Sequence, residues 1–368
     1  MKQQIGILTY VSVLCPDEDE KIYCDYIRAI LEVGSQKGVD VVSFDFESID
    51  FESGKIRGYT FDKKIIEKET TIPEVIYIAG ALDEPDRKKH KMQVKKKLEA
   101  RGVRFLNPPA LTEVCTDKTK SYDLFRAFDL NQPETISFSE ENLAAFLQKY
   151  DSIFVKPIKG MRTHGMIIIK KTENQKCDLQ LFYEENYVKN KKALSCVLTD
   201  QLLSQLLALM EKSNIKPEDY FIQQGIDPLR YQDRRVFFRG MVQRGTGGEI
   251  RDFCIDARIF GKDRVVGKKV EPEKILEDFS LQLKKKVSAQ ELRDILEQES
   301  VQGTEALEQE VGPVGEVGFD LVLDTKGQAW IIEANSRPGH RDTHHQVFAK
   351  NAVDYLSFLA SKKHDKKN

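Results

Sequence analysis

Apolar residues fall into two rhythms along the first part of the chain: short unbroken runs, and stretches at i, i+3, i+4 spacing. The run IGILTYVSV predicts a strand. After it, Tyr23, Tyr26, Ile27, Ile30 and Leu31 predict one face of a helix that Gly38 ends, and VDVVSF predicts the next strand. A hairpin around GKIRGYTF, a strand at EVIYIAG, a charged helix and the strand VRFLNPP complete an α/β domain over residues 1–112, with Pro108-Pro109 at its edge. A second unit, 113–214, closes with a helix whose Leu202, Leu203, Leu206, Leu207 and Met210 form a core-facing stripe. The third, 215–368, carries strands, charged helices between Glu271 and Glu310, and a last helix through Val347, Val353, Leu356 and Leu359.

The pattern changes most informatively at GFDLVLDTKGQAWIIEANSRPG. Phe319, Leu321 and Leu323 alternate on one strand, Trp330, Ile332 and Ala334 on a second, and Asp324-Thr-Lys-Gly327 supplies the turn. Alternation then sets Glu333 and Asn335 on one face, opposite Ile332 and Ala334, with Asp320 in matching parity. Three hard oxygen donors on adjoining strands suit Mg²⁺, with Mn²⁺ as a substitute, completed by water and substrate phosphates. A sheet with one solvated face would give the same pattern.

Two upstream segments bear on that choice. In DSIFVKPIKGMRTHGMIIIKK an apolar strand ends at Lys156-Pro157, a loop holds Gly160 and Gly165, and a second strand follows. Such a loop lets backbone N–H groups approach phosphate oxygens, and the lysine can meet them as a point charge. A hairpin with a surface lysine reads the same way. In DYFIQQGIDPLRYQDRRVFFRGMVQ a strand runs into Gln223-Gln224-Gly225-Ile226, then a polar loop, then Asp233-Arg234-Arg235 and another strand. Arg235 sits where an inward phosphate contact would be useful, and Arg258 in DFCIDARIFG adds a second cation. Strand arginines taken singly are as well explained by solvation.

Taken in order, these segments resemble the ATP-grasp superfamily, in particular its YheC/YheD-like branch, whose members are described as endospore coat-associated. The resemblance runs over roughly residues 113 to 345, and PEVIYIAG is similar to the family's preceding domain. It implies an α/β (α+β) chain: an ATP-grasp fold with an N-terminal pre-ATP-grasp domain over 1–112, a lid-bearing subdomain over 113–214 and a metal-binding subdomain over 215–368. By resemblance, Lys156 meets the α/β-phosphates, and the loop from Gly160 through Thr163 and His164 to Gly165 is the lid. Gln223, Gln224, Gly225 and Ile226 form the adenine hinge, and Asp233 lies near the ribose and phosphates. Arg235 and Arg258 neutralise charge at the γ-phosphate or an acyl phosphate. Asp320, Glu333 and Asn335 hold one or two Mg²⁺, and Lys118 matches a recurrent lysine at the start of the grasp region. Two features depart from the pattern: the lid reads Met161-Arg162-Thr163-His164 where relatives carry small residues, and GKDRVVGKKVEPEK replaces an asparagine step after Arg258.

The chemistry so implied is Mg-ATP-dependent joining of a carboxylate to an amine, amino acids and peptides included, through an acyl phosphate with release of ADP and phosphate. Arg337, His340, Arg341 and His344, just past the metal strand, are candidates to grip an anionic substrate, or else form a polar loop with a helix cap. A small-molecule kinase on the same fold and a spore-associated protein that binds nucleotide without turnover are the alternatives. Composition narrows the field further. A net charge of −2 predicts neither nucleic-acid nor membrane binding, and lysine runs such as KKHKMQVKKKLEARG read as solvated helix faces. Cysteines at 15, 24, 115, 177, 196 and 254 show no C-x-x-C spacing and read as small apolar residues kept reduced. MKQQIGILTYVSV reads as too short and polar for a signal peptide, which points to the cytoplasm or a forming spore. A homo-oligomer stays open.

Overall fold

The computed structural model describes residues 3–9, 21–79, 85–159, 165–172, 176–185, 188–197, 200–212, 216–259, 270–339 and 344–362. The first sheet is built from β1 (Gln4–Leu8), β2 (Asp40–Phe44), β3 (Ile49–Asp50), β4 (Lys55–Asp62), β5 (Lys64–Thr71), β6 (Val75–Ile78) and β7 (Arg104–Phe105), in the order β3-β4-β2-β1-β6-β7, with β5 paired to β4. The strands β2, β1, β6 and β7 run parallel, linked by α1 (Lys21–Gln36) and α2 (Pro85–Ala100). Parallel strands covered on both faces need apolar residues at successive positions, which explains the unbroken runs. Ile5 and Ile7 point into the core beneath α1, whereas Leu8, Val42 and Ile76 point into the core that Val94 and Leu98 of α2 complete.

Next come α3 (Pro109–Thr116) and α4 (Lys118–Ala127), whose Leu111, Val114, Cys115 and Phe125 pack into the core of the third sheet. The second sheet holds β8 (Thr135–Ser137), β9 (Ser152–Pro157), β10 (Ile167–Thr172), β11 (Lys176–Glu185), β12 (Val188–Val197) and β13 (Tyr220–Gln224), in the order β12-β11-β10-β9-β13-β8. Helices α5 (Glu140–Lys149) and α6 (Asp200–Lys212) cover it, and Leu202, Leu206 and Met210 form the expected stripe, sharing a core with Ile153, Val155 and Ile167.

The third sheet comprises β14 (Arg230–Tyr231), β15 (Arg234–Arg244), β16 (Ile250–Ile259), β17 (Glu316–Leu323) and β18 (Ala329–Asn335), in the order β14-β15-β17-β18 with β16 on the other side of β15. Its apolar face packs against α7 (Pro272–Gln282) and α8 (Ala289–Val311). The start of α8 carries a capping box: the Glu291 amide donates to Ser288 Oγ, and the Ser288 amide donates to the Glu291 carboxylate.

The last helix, α9 (His345–Ser361), returns to the first sheet, and Phe348, Ala349, Ala352, Val353 and Leu356 share a core with Ile5, Ile7, Ile27 and Ile30. Val347 faces outward at 42% exposure, contrary to the sequence reading, because the core-facing stripe runs one position later, through Phe348. Two polar fastenings hold the first sheet to the third. Asn107 donates through Nδ2 to the carbonyls of Glu316 and Ser336 and accepts at Oδ1 from the amides of Gly315 and Glu316. Tyr77 Oη donates to Glu316 Oε1 at 2.5 Å and Gln243 Nε2 to Oε2 at 2.9 Å, which satisfies a carboxylate that is 1% exposed. Among the described residues no helix is long and apolar enough to cross a membrane.

Candidate active site

One register row crosses the third sheet: Asp256 on β16 faces Arg239 on β15, Arg239 faces Asp320 on β17, and Asp320 faces Glu333 on β18. Its neighbours Ala257, Phe238, Leu321 and Ile331 point the other way into the core, so the charged row is the sheet's second face. Arg239, 5% exposed, donates from Nε to Asp320 Oδ1 at 2.6 Å and from Nη2 to Oδ2 at 3.0 Å. Burial opposes its charge, yet Asp320, with Glu333 and Asp256 behind it, holds the guanidinium pKa above the ordinary arginine value. The fork geometry suits this bidentate pair better than a lysine would.

Strand β18 does not alternate as its sequence predicts. Asp320 pairs with Glu333 but Leu321 pairs with Ile331, so Ile332 is an extra residue in a β-bulge. The core positions are therefore Ala329, Ile331 and Ala334, and Trp330 and Ile332 leave the core face. Trp330 turns its indole N–H to Asp324 Oδ2, at 3.0 Å, in the hairpin turn. Past the bulge, Glu333 and Asn335 share the face of Asp320, Gly318 standing opposite Asn335. A Cβ at Gly318 would lie 2.7 Å from Pro338 Cβ and 3.0 Å from Arg239 Cδ, so only glycine lets the arginine cross the strand there.

A second set of charges arrives from the other sheet and from α4. Lys156, next to last in β9, donates to Gln223 Oε1 at 2.5 Å, while Gln223, 1% exposed, donates from Nε2 to Thr135 Oγ1 at 3.1 Å. Burial, together with the like charge of Lys118, pulls the Lys156 ammonium down to about 7, against the opposing pull of Glu333. Burial likewise raises the Glu333 carboxyl above its ordinary range, although Lys118, Lys156 and Arg239 all favour its charged form. Three cations and two carboxylates thus converge on one spot.

The donor set fits a hard divalent cation. Glu333 is a desolvated carboxylate that a cation would stabilise, and Asp320 keeps lone pairs beyond those given to Arg239. Asn335 Nδ2 is buried without a hydrogen-bond partner, so its amide lacks an acceptor oxygen of the kind a phosphate or bound water supplies.

The remaining sequence candidates divide by place. Gln224 is occupied by Glu134, accepting from its amide through Oε1 and donating its own amide to its carbonyl. The Gly225 amide donates to Ser152 O at 2.7 Å, and Ile226 follows half-buried. Gly165 has φ +76, which favours glycine, and stands two residues before β10. Asp233 is exposed at the tip of the β14–β15 hairpin, where Gln232 and Asp233 both take positive φ. Arg235 stands beside Arg230, and burial with that like charge lowers its pKa. Arg258 lies two residues along β16 from Asp256, and His344 Nε2 comes within 3.8 Å of Asp256 Oδ1. Arg337 sits half-buried in the turn after β18. Gly160, Thr163, His164, His340 and Arg341 lie outside the described residues.

Arg239 and Asp256 escaped the sequence reading. The signal was the alternation Arg235, Phe237, Arg239, which puts both arginines on one face, whereas the carboxylate partner is 81 positions away and invisible to spacing.

Comparison with known proteins identifies the family and the fold. A family model described as YheC/D like ATP-grasp matches residues 107–359. The chain is 24% identical over 395 aligned positions to the endospore coat-associated protein YheD of Bacillus subtilis (strain 168), covering 97% of this chain and 79% of that protein. Among solved structures it is similar to VanG D-Ala:D-Ser ligase from Enterococcus faecalis, with a TM-score of 0.55, 13% identity and coverage of 98% and 100%. It is also similar to the ATP-grasp ligase PsnB complexed with a variant of its minimal precursor, Mg and ADP, with a TM-score of 0.53, 13% identity and coverage of 98% and 100%.

Proposed function

Because the chain belongs to the YheC/D-like ATP-grasp family, we propose that it is a Mg-ATP-dependent ligase that joins a carboxylate to an amine through an acyl phosphate, releasing ADP and phosphate. The observation that carries this reading is the convergence of Lys118, Lys156 and Arg239 on the Asp320–Glu333 pair. Clustered cations beside acidic oxygen donors suit a polyanion that arrives with its own metal. When bound, Mg²⁺ would be held by Glu333, Asn335 and Asp320 and would neutralise phosphate oxygens.

The chain's own groups do the rest. Lys156, drawn toward the neutral amine in the free protein, becomes a full cation once phosphate oxygens replace its lost hydration. Arg239, fixed by Asp320, offers its remaining N–H groups to charge that develops at the transferring phosphoryl group. Arg337 and His344 are the described groups proposed to grip the carboxylate substrate, and Arg235 and Arg258 those proposed to neutralise charge at the γ-phosphate or an acyl phosphate. An amino acid or peptide substrate is supported by the D-Ala:D-Ser ligase activity in VanG's name and by the precursor peptide complexed with PsnB. The YheD relative supports a spore setting.

The test is turnover of Mg-ATP with hydroxylamine and pooled carboxylates, following ADP and hydroxamate. Hydroxamate from one carboxylate supports the acyl phosphate. ADP without hydroxamate, with phosphate transferred to an alcohol, overturns it in favour of a kinase, and nucleotide binding without ADP overturns turnover altogether.

A second expectation concerns protons. Phosphate pairing should return Lys156 from about 7 toward its ordinary value of 10.5. Between those values the free protein holds the neutral amine and the complex the ammonium, so nucleotide binding takes up close to one proton at about pH 8 and far less at about pH 6. Calorimetry in buffers of different ionisation enthalpy reads the uptake, and Lys156→Met should remove it.

A further inference from the structure

The bulge that turns Glu333 into the site is held from outside the sheet. Strand β18 is an edge, and the loop after α4 covers it: the Ile331 amide donates to Asn131 O at 2.8 Å. At the extra residue the Ile332 carbonyl, displaced from the ladder, accepts from Tyr122 Oη at 2.6 Å. Tyr122 is buried on α4, its ring edge-on to Phe221 of β13 at 5.7 Å. One oxygen therefore ties α4 to the strand that carries Glu333.

We propose, building on the ligase reading above, that Tyr122 is a positioning residue: its hydroxyl fixes the bulge that aims Glu333. A β-bulge costs a ladder hydrogen bond at the displaced carbonyl, and a buried carbonyl left without a donor relaxes toward one. Without the hydroxyl, Ile332 is free to slip back into register, which would swing Glu333 away from Asp320. Phenylalanine fills the same space against Phe221, so the change isolates the hydroxyl.

The experiment titrates Mn²⁺ into the full chain loaded with a non-hydrolysable ATP analogue, read by calorimetry or electron paramagnetic resonance. Tyr122→Phe is expected to weaken Mn²⁺ binding about tenfold, the range in which outer groups that orient metal ligands act. Ser121→Ala removes the neighbouring buried helix hydroxyl, which bonds Lys118 O at 3.1 Å, and should leave the affinity within about twofold, separating bulge positioning from general loosening of α4. p-Aminophenylalanine at position 122, which restores a donor, should recover the affinity. Equal Mn²⁺ binding by wild type and Tyr122→Phe overturns the positioning role while leaving the ligase reading intact. Failure of the wild type to bind Mn²⁺ with nucleotide at all sinks the ligase reading, and this inference with it.

Discussion

Glu333→Gln is expected to lower ligase turnover on the order of a thousandfold while the thermal midpoint of the nucleotide-free protein stays within a few degrees of wild type. Stabilisation of phosphoryl charge by a held cation is worth several kcal/mol, and about 1.4 kcal/mol is tenfold in rate. The stability side follows from electrostatics. Burial raises the Glu333 carboxyl pKa, so the fold bears a cost for keeping that group charged. An isosteric amide removes the cost along with the attraction to Lys118, Lys156 and Arg239, and the two changes offset. Steady-state rates beside a thermal melt decide it: turnover within tenfold of wild type would remove Glu333 from the chemistry, and a collapsed midpoint would make it a structural residue instead.

Arg239→Met should act in the opposite sense, striking stability and activity together. The substitution leaves Asp320 with both oxygens stripped of their donors on a largely buried face. Removing one partner of a buried pair costs about 3–5 kcal/mol, and the lower end applies because Asp320 retains some exposure. Asp320→Asn on the same background takes away the orphaned charge and should recover most of the stability but none of the turnover. Chemical denaturation of the two single variants and the double gives the coupling directly. Additive losses would show that the pair is not a unit, whatever its geometry.

How far the chain can be read without its structure differs from residue to residue. The helix through Tyr26, Ile27 and Ile30 and the stripe from Leu202 to Met210 were legible because helical periodicity is local. That Asp320, Glu333 and Asn335 share one face was legible because side chains alternate along each strand. The bulge at Ile332 was not, since one inserted residue leaves composition and apolar content unchanged while flipping every side chain beyond it. Arg239 illustrates a second blind spot: a buried ion pair between strands distant in sequence carries no spacing, whereas Arg235, four residues earlier on the same strand face, stands beside a recognisable motif. Lys156 was legible as a cation, but its shifted pKa depends on what else is buried beside it, including Lys118 from α4.

The seating of α9 against α1 bears on how the molecule is made. The ribosome releases Ile5, Ile7, Ile27 and Ile30 long before Phe348, Val353 and Leu356, yet all of them belong to one core. For most of synthesis the nascent amino-terminal sheet therefore lacks the helix that covers part of its α1 side, with apolar surface open to solvent. Long-range closure of this kind is slow and leaves intermediates that aggregate, so chaperone demand during synthesis is built into the topology rather than into any weak element.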